Sequence, residues 1–324
     1  MSLSSMSRRE GLAALLALGA APALGQGAYP ARTVRYVVPF PPGGPTDNVG
    51  RLVAQELSQR WGQPVVVDNR PGASGAIGAE AVAKSAPDGY TLLQGNSSTH
   101  GTNNALFPKL GYHAQQDFLA VVPLIEGPVY LGVNSKAPFA SMAELVAHAK
   151  ANPGKLNYGT AGPGSPQHLA GELLKNKANI DLVAVHYKGA APAMLALQSG
   201  EIDLYFDSTA LVHAKAGRMK VLGVTTRQRW PLAAEVPTLV EGGVPDFEVR
   251  GWFGLFAPRG TPAEVVEKVN ADVNAVLARA DVRQKIEAMG FRPTGGPAAA
   301  FGQAVARETT YWAELVKANN IRVD

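Results

Sequence analysis

Three stretches of this chain combine glycine, proline and small residues in a way suited to holding an anion. The first is Phe40-Pro41-Pro42-Gly43-Gly44-Pro45-Thr46-Asp47. The second is Tyr158-Gly159-Thr160-Ala161-Gly162-Pro163-Gly164-Ser165-Pro166, and the third is Tyr187-Lys188-Gly189-Ala190-Ala191-Pro192. Each follows a strand-like run and precedes a helical pattern. Glycine lets the backbone come close to a ligand. A helix start adds unpaired N–H donors and the positive end of the macrodipole, so the pair makes an anion site with no cationic side chain. Thr46 or Asp47 can cap the first helix; Ser165 can cap the second, with Pro166 at the favoured first helical position. Taken singly, each loop is also an ordinary strand-to-helix turn; three in one chain point to a ligand cleft at the carboxyl ends of the strands. Carboxylate is favoured over phosphate. The chain has no G-x-x-x-x-G-K-[ST] loop, Gly162-x-Gly164 lacks the third glycine of a dinucleotide fingerprint, and the spacing in Gly72-Ala73-Ser74-Gly75-Ala76-Ile77-Gly78 does not match one.

Other residues extend the candidate site. Ser97-Ser98-Thr99 follows a strand-like run and offers three hydroxyl donors to a ligand or to a local turn. Asp207-Ser208 follows another, and Asp207 can either bind a ligand amine or hydroxyl or cap its own turn. His168 starts a helix beside the second glycine-rich loop, where it can be a ligand contact or a hydrogen-bonded structural histidine. Lys188 can pair with a carboxylate or be a solvated loop lysine. Catalytic and metal chemistry finds little support. The six histidines, at 100, 113, 148, 168, 186 and 213, include no i,i+4 pair, and there is no H-E-x-x-H, no G-x-S-x-G and no cysteine. No cofactor, metal site or catalytic residue is expected.

The elements that must position these residues alternate between short strands and amphipathic helices, as in an α/β fold with largely parallel sheets. Strands are expected at 34–40, 65–67, 90–94, 156–158, 182–187, 202–206, 221–225 and 252–257. Helices are expected after 45, over 76–85, from Ser141 to about 151 with Glu144 completing a capping box, and after 165. Others are expected over about 191–198, 262–278, 282–289 and 301–319. The last three are read as packing elements. A chain of 324 residues suits two domains, yet no linker separates two halves, so the chain must cross between them more than once. Crossings are expected at 121–133 and 221–226. They would divide the protein into a first lobe of 26–122 plus 227–324 and a second lobe of 123–226.

Composition limits the partners. Charged residues make up 17% and hydrophobic residues 46%, as in a globular protein. The net charge of +4 comes from 30 basic and 26 acidic residues with no like-charged run, which argues against nucleic acid as a partner. At the N-terminus, Ser7-Arg8-Arg9 precedes an apolar run over 11–21 and then small residues at Ala21, Ala23 and Gly25. This is the layout of a secretory signal over 1–25. The paired arginines resemble a twin-arginine signal, although Glu10 and Gly11 stand where stronger signals carry an apolar pair. The run is well short of the ~20 residues that span a bilayer. The mature protein is therefore expected in the periplasm, from Leu24, Gly25 or Gln26.

Several segments together resemble the Bug family, the extracytoplasmic receptors of tripartite tricarboxylate transporters. They are Pro39-Phe40-Pro41-Pro42-Gly43-Gly44-Pro45-Thr46-Asp47, Asn69-Arg70-Pro71-Gly72-Ala73-Ser74-Gly75 and Pro87-Asp88-Gly89-Tyr90-Thr91-Leu92-Leu93. The stretches Tyr158-Gly159 through Gly164-Ser165 with His168-Leu169-Ala170-Gly171-Glu172, Tyr187-Lys188-Gly189 with Pro192-Ala193, Phe206-Asp207, Val236-Pro237-Thr238 through Gly243, and Trp252 to Pro258 with Gly260-Thr261-Pro262 continue the likeness in order. The resemblance implies a type II periplasmic-binding-protein fold whose two lobes close like a Venus flytrap on a small carboxylate. It implies contacts from Phe40, Pro42, Gly43, Gly44, Thr46, Asp47, Ser97, Ser98 and Thr99 on one lobe. On the other it implies contacts from Gly162, Gly164, Ser165, His168, Tyr187, Lys188, Gly189, Asp207 and Ser208. His186 departs from the family, standing where a proline usually precedes Tyr-Lys-Gly.

The expected function is capture of an organic acid or acidic amino acid by a monomeric receptor, which passes it to the membrane subunits of such a transporter. A sensory module signalling to a membrane sensor kinase needs the same closing cleft, and an exported enzyme on this fold is the third reading.

Overall fold

A computed structural model describes residues 29–107 and 109–318. The expected signal segment and cleavage site lie outside the described residues. In chain order the elements are β1 (Val34–Val38), α1 (Pro45–Trp61), β2 (Val65–Asn69), α2 (Ala76–Ala83), β3 (Thr91–Asn96), α3 (Asn103–Leu106), β4 (Phe118–Pro128) and β5 (Tyr130–Asn134). Then come α4 (Met142–Ala151), β6 (Asn157–Thr160), α5 (Pro166–Ala178), β7 (Val183–His186), α6 (Ala190–Ser199), β8 (Leu204–Asp207), α7 (Ala210–Lys215) and β9 (Met219–Val224). The chain ends with β10 (Arg250–Pro258), α8 (Ala263–Ala278), α9 (Ala280–Ala288), β11 (Arg292–Pro293) and α10 (Ala298–Ala318).

The strands form two sheets, ordered β11-β4-β10-β3-β1-β2 and β7-β6-β8-β5-β9. Largely parallel sheets were expected; both are mixed. β1 runs parallel to β2 and β3, and β6 to β7 and β8, but β10 is antiparallel to β3 and β4, and β5 to β8 and β9. The reason lies in the connections. The parallel pairs lie within the strand–helix–strand runs β1-α1-β2-α2-β3 and β6-α5-β7-α6-β8, whereas β5 and β10 begin where the chain arrives from the other sheet.

The chain changes sheets between Pro128 and Tyr130, and again between Val224 and Arg250. These passages are bound together at Thr225, which is fully buried. Its N–H donates to Val129 O at 2.9 Å, and its carbonyl accepts from Val249 N at 3.1 Å. Its hydroxyl lies 2.8 Å from Val129 O and 2.6 Å from Val249 O. The long helix α10 packs Phe301 and Val305 into the core of the first sheet and Trp312 and Val316 into that of the second.

Two helices are seated on their sheets by glycines that admit no side chain. In α1, a Cβ at Gly50 would lie 2.8 Å from Gln94 Oε1 and 2.9 Å from Val38 Cγ2. Gln94 is fully buried, accepts from Tyr36 OH at 2.8 Å and donates to Thr46 O at 2.8 Å, so the first turn of α1 is tied to β1 and β3. In α5, a Cβ at Gly171 would lie 2.0 Å from the Tyr158 ring on β6. The expected outcome for Gly171→Ala is net destabilisation. Overpacking costs about 1–3 kcal/mol and exceeds the helix propensity gained, about 1 kcal/mol. Urea unfolding checks this; an unchanged or raised midpoint would show that Tyr158 simply moves aside.

Candidate functional site

The glycine-rich loops converge on a cleft between the two sheets. From the first sheet it is lined by Phe40, Pro42, Gly44 and Thr46 after β1, and by Ser97 and Ser98 after β3. From the second it is lined by Ser165 after β6, Gly189 after β7, and Asp207 and Ser208 at the end of β8. Local geometry explains why the helices begin there. Pro45 occupies the first turn of α1 behind Gly44 in an extended conformation, and Ser165 caps α5 by accepting from His168 N at 3.3 Å. Neither α1 nor α6 has a side-chain cap. Their first turns therefore leave N–H groups without a side-chain cap beside the cleft, at Gly44 and Thr46 on one side (Pro45 has no N–H) and at Gly189, Ala190 and Ala191 on the other.

Other expected contacts turn elsewhere and hold the loops in shape. Both carboxylate oxygens of Asp47 are used. Oδ2 accepts from Gly43 N at 2.9 Å and Arg51 Nε at 2.8 Å, and Oδ1 accepts from Asn69 Nδ2 at 2.9 Å. Burial works to raise the Asp47 pKa, but these donors outweigh it and hold the carboxyl below its ordinary value. Asn69 also donates to Phe40 O at 3.0 Å, so it braces both ends of the loop. Thr99 faces inward, with its hydroxyl accepting from Asn96 N at 3.0 Å and lying 2.9 Å from His100 Nδ1. Gly162 (φ +131°) and Gly164 (φ +71°) shape the second loop, where Gly164 N donates to His168 Nδ1 at 3.1 Å. Tyr187 donates to Glu201 Oε1 at 2.7 Å. Tyr187, Gly162 and the exposed Lys188 line an outer groove beside Pro41 rather than the cleft.

Asp207 reaches the cleft from a turn that it caps itself. Its Oδ1 accepts from Thr209 N at 2.6 Å and from the Thr209 hydroxyl. Burial pushes its pKa above the ordinary carboxylate value, and the Thr209 bonds only partly oppose this. Ser98 is different in kind: it is fully buried, lines the cleft, and its hydroxyl has no hydrogen-bond partner. The Gln167 side-chain oxygen, in the first turn of α5, is likewise unpartnered. Buried polar groups without partners are rare, and here they sit where a ligand would supply them.

The sequence reading missed much of the cleft wall. Asn96, Val129, Ala161, Gln167, Trp252 and Phe253 all line it. The 252–257 strand was recognised, but nothing local to it signals a ligand. Trp252 Nε1 donates to Glu308 Oε2 at 2.5 Å, and Trp312 Nε1 donates to Glu308 Oε1 at 3.1 Å. A helix read as packing alone thus holds a cleft residue in place. Burial raises the Glu308 pKa to about 7.

Residues 49–321 match the family model of the tripartite tricarboxylate transporter family receptor. The chain belongs to this receptor family. The receptor is 35% identical to protein BugT of Bordetella pertussis (strain Tohama I) over 292 residues, 89% of this chain and 90% of that protein. Among solved structures, R. palustris Rpa4515 with adipate superposes with a TM-score of 0.88 at 38% identity, covering 91% of this chain and 99% of that one. MatC (Rpa3494) from Rhodopseudomonas palustris with bound malate gives 0.84 at 38% identity, covering 89% and 100%. The receptor therefore has the two-lobed fold of periplasmic binding proteins, as the resemblance implied.

The buried histidines of the receptor make its stability depend on pH. Burial, and then the nearby His186, lower the His168 pKa to about 4, and burial lowers that of His100 to about 3. Both are below the ordinary 6.5, so the unfolded chain binds these protons first. Their contribution is complete above about pH 6.5 and is lost as pH falls toward 4, by up to about 1.4 kcal/mol per pH unit for each histidine. Glu308 acts in the opposite sense between 4.5 and about 7, so the His168 contribution is best read from a difference. Wild-type stability minus that of His168→Gln is expected to rise from pH 4 to 6.5 and then level off in urea titrations. A difference flat across that range would place the His168 proton elsewhere.

Proposed function

We propose that the receptor captures a small carboxylate between its two lobes, outside the cytoplasm, and delivers it to the membrane subunits of a tripartite tricarboxylate-type transporter. The observation that carries this reading is the pairing of two uncapped helix starts with a buried, unpartnered Ser98 hydroxyl in one cleft. Helix N-termini attract an anion. Ser98 would donate to the same carboxylate, a charge-assisted bond worth about 1.5–3 kcal/mol. The carboxylates in the two related structures support the same ligand class. Among the described residues no three His, Cys, Asp or Glu side chains are grouped to hold a metal. The reading is of binding and release, without turnover.

Closure would turn about the passages bound at Thr225, with the first lobe built on the first sheet and the second lobe on the second. In this conformation the two sides already touch beside the cleft. The Ser74 hydroxyl donates to Pro163 O, and the Thr102 hydroxyl donates to Gly164 O at 3.1 Å. A bound solute that bridges both sides would shift the population toward this closed form.

The test is a thermal-shift panel of hexanoate, benzoate, adipate, malate and citrate against the purified protein. A ligand at 100 times its Kd adds about 2.7 kcal/mol and raises the melting temperature visibly. Ser98→Ala should weaken the best hit at least tenfold while leaving the unliganded melting temperature nearly unchanged, since the hydroxyl makes no bond in the fold. A folded protein that answers to no carboxylate would sink the reading, as would full affinity in Ser98→Ala.

A further inference from the structure

The cleft does not end at the helix starts. Gly44, Pro45, Ala190, Ala191 and Asp207 line both it and a second, larger cavity. The cleft encloses about 100 Å³ and the outer cavity about 500 Å³. A solute seated by one carboxylate at the helix starts therefore has room to continue outward past Asp207.

Helix α6 runs along the outer cavity. Ala190, Ala191, Met194, Leu195 and Gln198 recur at helical spacing on the face that lines it. From Ala190 to Gln198 that face rises by about 12 Å. Its middle is apolar. Met194 and Leu195 share the cavity with Val212 of α7 and, from the first lobe, with Met289 and Phe291 after α9. Leu195 is 66% exposed and Val212 49%, and exposed apolar side chains grouped in this way mark a binding surface.

The outer end is cationic. Gln198 Nε2 lies 3.2 Å from His213 Nδ1, and Arg218 N donates to His213 O at 3.1 Å. Gln198, His213 and Arg218 thus stand together at the far end of α6, and all three line the cavity. With Gln198 donating to Nδ1, the neutral His213 ring carries its proton on Nε2 and has that donor to offer. Among the described residues the Arg218 guanidinium makes no ion pair and no side-chain hydrogen bond. Its planar fork of donors suits a carboxylate.

We propose that the outer cavity is a second anion subsite, in which Arg218 and His213 receive the far carboxylate of an extended diacid. The near carboxylate sits at the helix starts and Ser98, and the chain lies along Met194 and Leu195. Asp207, at the junction of the two cavities, then faces the uncharged middle of the solute and neither end. The proposal rests on the receptor reading and deepens it by assigning the outer cavity.

Isothermal titration calorimetry of the full protein at pH 7 tests this with succinate, sebacate and decanoate, the last an acid of sebacate's length without the far carboxylate. Sebacate should bind at least tenfold more tightly than decanoate. Arg218→Ala should weaken sebacate at least tenfold and leave succinate, too short to reach, nearly unchanged. Arg218→Lys, which keeps the charge, should recover most of the loss. Sebacate no tighter than decanoate, sebacate unmoved by Arg218→Ala, or a loss shared equally by succinate would each overturn the outer subsite while leaving the receptor reading intact. Failure of every carboxylate to bind, those of the thermal-shift panel included, would overturn both. Circular dichroism shows that each variant is folded, so loss of binding is not mistaken for loss of structure.

Discussion

The close seating of helices α1 and α5 on their sheets is the constraint from which the site follows. Gly50 lets α1 approach Val38 and Gln94, and Gly171 lets α5 approach the Tyr158 ring. Each contact lies within two turns of the helix start. It therefore fixes where the first-turn N–H groups point relative to the strand ends. The buried Tyr36–Gln94–Thr46 chain does the same for α1 through hydrogen bonds. A dipole and a set of unpaired donors are useful to a ligand only if they stay put, because their strength as an anion site lies in preorganisation rather than in net charge.

Much of this arrangement could be read from the sequence, because loop chemistry is local. The glycine-rich loops, the Ser165 cap with Pro166, and the hydroxyls at 97 and 98 all lie at the cleft, and each is marked by residue types within a few positions of itself. What local pattern does not reveal is which way a side chain in such a loop turns. Asp47 and Thr99 sit in the right segments, yet spend their polar atoms on the loop itself, on Arg51, Asn69, Asn96 and His100. Asp207 shows both behaviours, capping Thr209 with one oxygen while lining the cleft.

The apolar half of the cleft was illegible for a different reason. Trp252 and Glu308 are 56 positions apart, and Val129 and Thr225 are 96 apart. Pairings at such separation arise from the order in which the chain passes between the sheets, which no periodicity encodes. The same passages explain the mixed sheets. β5 and β10 enter from the opposite sheet and so run against their neighbours, whereas the helical connections that the sequence does display give the parallel pairs.

Because the uncapped starts of α1 and α6 are main-chain features, the pull they exert on an anion belongs to no single side chain. It cannot be titrated away near neutral pH, and no one substitution deletes it. On the function proposed above, the cleft would separate two tasks that most charged sites combine: holding on would be the work of the backbone, and telling solutes apart the work of the wall. On that reading a lineage with this scaffold could exchange wall residues such as Trp252 or Phe40 while leaving the main-chain donors of both helix starts in place.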